Sequence, residues 1–135
     1  MKAARLNIFG MINRDNVYHG FTSCQSIKAE DVAKFIDEFS KSITRPTFIV
    51  LDNASVHTGG KMKESFDRWR KRGLYIFFLP PYSPHLNIAE TLWRILKTKW
   101  IKPHHYIDTN SLFNATHEIL YGIGERYRVN YSKLA

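Results

Sequence analysis

The sequence predicts an α/β fold built around a parallel strand pair. Two continuous apolar runs, Thr47–Leu51 and residues 74–79, have strand length and are rich in β-branched and aromatic side chains. Between them, residues 61–72 place Met62, Phe66 and Trp69 on one helical stripe. A strand, helix, strand order implies a right-handed parallel crossover. With 135 residues and 44% hydrophobic content, the chain fits one domain with a real core, which excludes disordered and collagen-like classes.

Each element follows from its own signals. Residues 5–22 read as a hairpin: Leu6, Ile8 and Ile12 alternate with Asn7 and Phe9, Asn13 to Asn16 supply a polar turn, and residues 17–22 return. Val32, Phe35, Ile36, Phe39 and Ile43 recur at helical spacing over 29–43, with Glu30 and Asp31 at the end favoured by the helix dipole. Arg45-Pro46 stops that helix, and Thr47–Leu51 follows as a strand expected to be buried on both faces, ending at Asp52. After the crossover helix, Gly73 stands where a C-terminal cap belongs, and Pro80-Pro81 ends the second buried strand. A Tyr-Ser-Pro loop leads to a helix over 88–101, stopped by Pro103. Leu112, Phe113, Thr116, Ile119, Leu120 and Ile123 give one more helix, capped by Asn110 or Ser111, before a basic, tyrosine-rich tail.

Charge points to the partner. Lys and Arg number 20 against 12 Asp and Glu, a net +8, which favours a polyanion and makes nucleic acid the first candidate. Residues 61–102 hold ten cations against Glu64, Asp67 and Glu90, so +7 of that charge is concentrated there. A solvated set of helix faces and a phosphate-tracking surface explain this segment equally well. The single cysteine, Cys24, has no partner for an internal disulfide and no CxxC setting, consistent with a reducing, intracellular location. The apolar runs are too short to span a bilayer, and residues 1–10 lack a signal-peptide pattern, so the expectation is a soluble protein with no membrane partner.

An acid directly after a buried strand sits at its carboxyl end, where open α/β sheets bind ligands, so Asp52 is the first candidate for chemistry. Taken alone it is more commonly a turn or cap residue. Asn53, Ser55, His57 and Thr58 crowd polar groups beside it, with Asn53 and His57 placed as supporting residues. Glu90 falls in the first turn of the helix after the second strand, from which a carboxylate can swing toward Asp52. Asn87 and Glu90 also fit a capping box, which spacing alone favours. Arg94 and Lys97 share Glu90's face at i+4 and i+7, either as an ordinary ion-pair ladder or as a phosphate-binding rail behind a metal ligand. Lys61 and Lys63 extend the candidate DNA-binding cations.

Leu51-Asp52-Asn53-Ala54, His57 and the block Leu79-Pro80-Pro81-Tyr82-Ser83-Pro84-His85-Leu86-Asn87-Ile88-Ala89-Glu90-Thr91-Leu92-Trp93 together resemble the catalytic domain of DDE transposases in the bacterial insertion-sequence branch of the mariner superfamily. The likeness runs over about residues 6–102, and the Pro-Pro-Tyr-Ser-Pro to Trp93 block is its most specific part. It implies a ribonuclease H-like fold, Asp52 as the second acid and Glu90 as the third, and Asn87 beside them. It further implies two Mg2+ or Mn2+ ions, cleavage of transposon ends, and joining of those ends to target DNA. Ile88 departs from the family's frequent proline at the helix start.

The larger departure is the first acid, which the family carries on a central strand upstream of the hairpin. Asp15 lies in a turn and Asp31 and Asp37 on a helix, so none has the strand context to replace it. The resemblance therefore implies one partial DDE catalytic domain over residues 1–135. Within it, 1–104 form a ribonuclease H-like core lacking its first central strand, and 105–135 a C-terminal helix and basic tail. Its two-metal site awaits an acid from a complementing upstream transposase segment, and a homo-oligomer is a further partner. The setting is a bacterial cytoplasm, nucleoid-associated when DNA is bound. Two other readings compete: a noncatalytic DNA-binding or assembly remnant, and another ribonuclease H-like nuclease acting on junctions or RNA hybrids.

Overall fold

The computed structural model describes residues 5–52, 60–81 and 83–131. They form two compact units, one from residues 26–87 and one from residues 1–25 with 88–135.

In the first unit, α1 (Ala29–Ser40) starts where the Asp31 carboxylate accepts the backbone N–H of Lys28 at 2.8 Å. β3 (Thr47–Leu51) and β4 (Leu74–Phe78) pair in parallel, with Thr47 opposite Leu74 and Leu51 opposite Phe78. The expected crossover helix is split into α2 (Gly60–Lys63) and α3 (Phe66–Lys71). The amide of Ser65 bonds the Met62 carbonyl three residues back, tightening the winding at the break. Gly73 takes φ +91°, the left-handed conformation expected of a helix-ending glycine. Ile36, Met62, Trp69 and Leu74 are fully buried, and Phe66 lies 6.1 Å from both Trp69 and Phe78, setting α3 on the inner face of β4.

Both strands were expected to be buried on two faces; one face is open instead. Ile49, Leu51 and Leu74 point inward, whereas Phe48 is 60% and Phe77 55% exposed, with Val50 and Tyr75 beside them. Phe48 stacks on Tyr75 at 5.3 Å and lies 5.4 Å from Phe77. A run of apolar residues records strand length and hydrophobicity, and cannot tell whether one or two layers cover the sheet.

The second unit begins with the hairpin, β1 (Asn7–Ile12) antiparallel to β2 (Tyr18–Ser23). Its turn is the predicted one: Asn13 Oδ1 accepts the amides of Asp15 and Val17, and Asn16 adopts φ 64°. A side chain on Gly10 or Gly20 would collide with the Tyr18 ring, which meets Trp93 edge-on at 6.4 Å. Burial pushes the Tyr18 hydroxyl up to about 12. Among the described residues, the hairpin and the β3–β4 pair form two separate two-stranded sheets.

α4 (Ile88–Ile95) continues as a π-helical segment, Leu96–Trp100, closed by the Ile101 amide on the Leu96 carbonyl at 2.9 Å. After a short turn over Pro103–Ile107 comes α5 (Thr109–Tyr121). Its cap is Asp108, whose carboxylate accepts the Ser111 amide at 2.7 Å, rather than Asn110 or Ser111 as the sequence suggested. That bond holds the Asp108 carboxyl below its ordinary range. Leu92, Val129 and Tyr131 form one buried cluster and Leu96, Ile101 and Ile119 another. Trp93 and Trp100 pack partly buried against the first of these clusters.

Candidate active site

Asp52 directly follows β3, at the carboxyl end of a parallel pair, as its place after an apolar run required. One rung beyond the strands, the Leu79 amide donates to the Leu51 carbonyl at 2.8 Å. The chain leaving β4 thus starts beside Asp52, at the edge where α/β sheets bind ligands. Asp52 is half-buried. Asn53 and His57 lie outside the described residues.

The chain then passes Pro80-Pro81 and a short turn over Pro84–Leu86 to Asn87, the residue before α4. Glu90 is the third residue of that helix, in its first turn, and is exposed. Among the described residues its side chain accepts no N–H from Asn87 and forms no ion pair with Arg94. Neither the capping box nor the i,i+4 pair therefore occupies this carboxylate. Asp52 and Glu90 belong to different compact units.

Arg94 and Lys97 are exposed. Arg94 sits on α4, one turn after Glu90, but Lys97 lies in the π-helical segment, where bonds to the fifth residue replace bonds to the fourth. The α spacing that aligned Lys97 with Glu90 ends at Ile95. Lys63 is exposed at the end of α2, while the Lys61 side chain lies outside the described set.

Part of the basic segment serves the fold, which charge counting missed. Asp37 on α1 accepts Arg68 Nε at 2.9 Å, Trp69 Nε1 at 3.0 Å and an Arg72 guanidinium nitrogen at 2.9 Å. Desolvation works to raise this carboxyl, but the bonds from Arg68, Trp69 and Arg72, with the Arg68 charge, outweigh it and bring it down to about 2. Arg70 pairs with Asp67 on the same helix. The only sequence signal for this network is an acid on the helix preceding a basic one.

Carboxylates are hard oxygen donors suited to Mg2+ or Mn2+. Among the described residues no three His, Cys, Asp or Glu side chains gather into a metal-binding group. Asp52 and Glu90 alone are short of the donor set that two closely spaced divalent cations require.

Fold and residues together define an α/β protein with one acid on a strand's carboxyl edge and a second opening the helix after the next strand. The chain belongs to the DDE superfamily endonuclease family, whose sequence model matches residues 1–113. The chain is also similar to the uncharacterized protein y4pE/y4sA of Sinorhizobium fredii, at 23% identity over 82 residues. That match covers 61% of this chain and 53% of the relative, so it spans about half the relative's length. Among the described residues, no helix is long and apolar enough to cross a membrane.

Proposed function

We propose that this chain is the carboxyl-terminal part of a DDE transposase catalytic domain, which in its complete form cuts and joins DNA at transposon ends. The observation that carries the reading is the placement of the two acids. Asp52 leaves the carboxyl end of β3, Glu90 opens the helix that follows β4, and family membership covers both.

In this reading Asp52 and Glu90 serve as the second and third acids of the site. Bound Mg2+ or Mn2+ would stabilise the developing charge of the reacting phosphate. Asp52 and Glu90 hold the ions, and Arg94, Lys97, Lys61 and Lys63 neutralise the DNA backbone. The remaining acid comes from an upstream transposase segment supplied in cis or by a complementing chain. The open aromatic face of β3 and β4 and the separate hairpin sheet agree with a domain that gains further structure from such a partner.

Titration with Mn2+, followed by paramagnetic broadening of backbone NMR signals, tests metal binding by the two acids. Signals next to Asp52 and Glu90 should broaden together, at the same Mn2+ concentration, and neither should respond alone in Asp52→Asn or Glu90→Gln. Independent responses, or broadening at one acid only, would separate the two residues and remove the shared site.

A further inference from the structure

The family match ends at residue 113, yet two of the three buried residues in the cluster around Leu92 lie beyond it. Val129 and Tyr131 are 3% and 4% exposed and pack with Leu92, which lies one helical turn after Ile88. The Tyr131 hydroxyl donates to the Ile88 carbonyl at 3.1 Å, at the start of α4 and two residues before Glu90. Burial pushes that hydroxyl up to about 12, against a small opposing pull from Arg14, so it remains a donor at any neutral pH.

The segment that delivers Tyr131 is itself fixed. Asn16, at the hairpin turn, donates through Nδ2 to the Val129 carbonyl at 2.9 Å and accepts the Val129 amide on Oδ1 at 2.7 Å. Gly124, at φ +94°, passes so close to the Asn16 carbonyl that a Cβ there would lie 2.9 Å from its oxygen. Arg128 bonds the carbonyls of Gly124, at 2.6 Å, and Asp15, at 3.4 Å. A continuous set of contacts thus runs from the hairpin turn, through Val129 and Tyr131, to the first turn of α4.

We propose that residues 122–131 act as a strap that holds the Glu90-bearing turn, with Tyr131 as a positioning residue for Glu90 acting through the Ile88 carbonyl. The inference rests on the reading of Glu90 as a site acid. Packing alone would stabilise the whole unit, whereas a directional bond to one carbonyl at the helix start restrains that turn in particular.

Amide hydrogen exchange on the full chain tests this. In the α-helical ladder of α4 the Leu92 amide bonds the Ile88 carbonyl, the acceptor it shares with Tyr131, and the Trp93 amide makes the next bond. Tyr131→Phe keeps the ring and removes the hydroxyl; it should speed exchange at these two amides about fivefold. Ile119 and Leu120 in α5 should stay unchanged. Val129→Ala, which thins the same cluster but keeps the hydroxyl, should instead raise exchange across the unit. Unchanged exchange in Tyr131→Phe, or a rise spread evenly over α4 and α5, would overturn the strap. Failure of the functional reading shows separately, as absent broadening at Glu90 when the unmodified chain is titrated with Mn2+.

Discussion

Asn16 grips the backbone of Val129 through both of that residue's polar groups, joining two points 113 residues apart in the chain. The same Asn16 is 3% exposed and holds φ 64°, a conformation that asparagine tolerates better than most residues. One side chain therefore shapes the hairpin turn and anchors the C-terminal segment.

Replacing Asn16 with Ala should be among the costliest single changes in this unit. It strands the amide and carbonyl of Val129 and places a β-carbon residue in the left-handed region, together about 3 kcal/mol. Asn16→Gly relieves the backbone but not the lost bonds, and should recover only about 1 kcal/mol of that. Urea unfolding monitored by tryptophan fluorescence checks both the size and the order of these effects.

Asp37 gives the other unit an acid-sensitive tie. Its carboxyl is brought from 3.8 in the reference state down to about 2, so the stabilisation is fully present above about pH 4 and is lost as the pH falls through 2. Asp37→Asn should lower stability by about 1–2 kcal/mol at pH 6, a value moderated by solvent screening. The variant and the parent should converge near pH 2. Unfolding midpoints measured from pH 2 to 6 decide it.

The cations of residues 61–102 should divide by role. Arg94→Ala with Lys97→Ala is expected to weaken binding to unrelated duplexes to a similar degree and reduce the slope of log affinity against log salt by about 2. Arg68→Ala with Arg72→Ala should chiefly lower stability, because both side chains bond Asp37. Fluorescence anisotropy across a salt series, beside thermal unfolding, separates the two outcomes.

The outer face of β3 and β4 carries Phe48 and Phe77 in solvent. Lysine at both positions should raise the concentration at which the chain stays monodisperse, because a contiguous apolar patch favours association. The unfolding free energy should change by only about 0.5 kcal/mol, since neither side chain belongs to the buried core. Sedimentation velocity over a concentration series reads the first effect.

Much of this layout was legible because local chemistry decided it. Asn13 to Asn16 could hardly be anything but a turn, α1 declared itself by spacing, and Asp52 and Glu90 followed from where the strands and the last proline-rich loop had to end. Features set by distant contacts were not legible. Nothing near Val129 announces that Asn16 will bind it, and nothing in the run Phe48 to Leu51 says that one face stays open. The change from α to π winding at Leu96 and the capture of Arg68 and Arg72 by Asp37 likewise depend on tertiary packing and pairing.

On the proposed function, Asp52 and Glu90 are two of a transposase's three acids and the third is supplied by another segment. The most direct test is cleavage of labelled transposon-end DNA with Mg2+ or Mn2+. The assay compares the chain alone, the chain joined to its upstream transposase segment, and the joined form carrying Asp52→Ala or Glu90→Ala. The chain alone should cleave little, the upstream segment should restore cleavage, and either variant should lose at least about 100-fold. Robust cleavage by the isolated, nuclease-free chain, or joined variants as active as their parent, would contradict it.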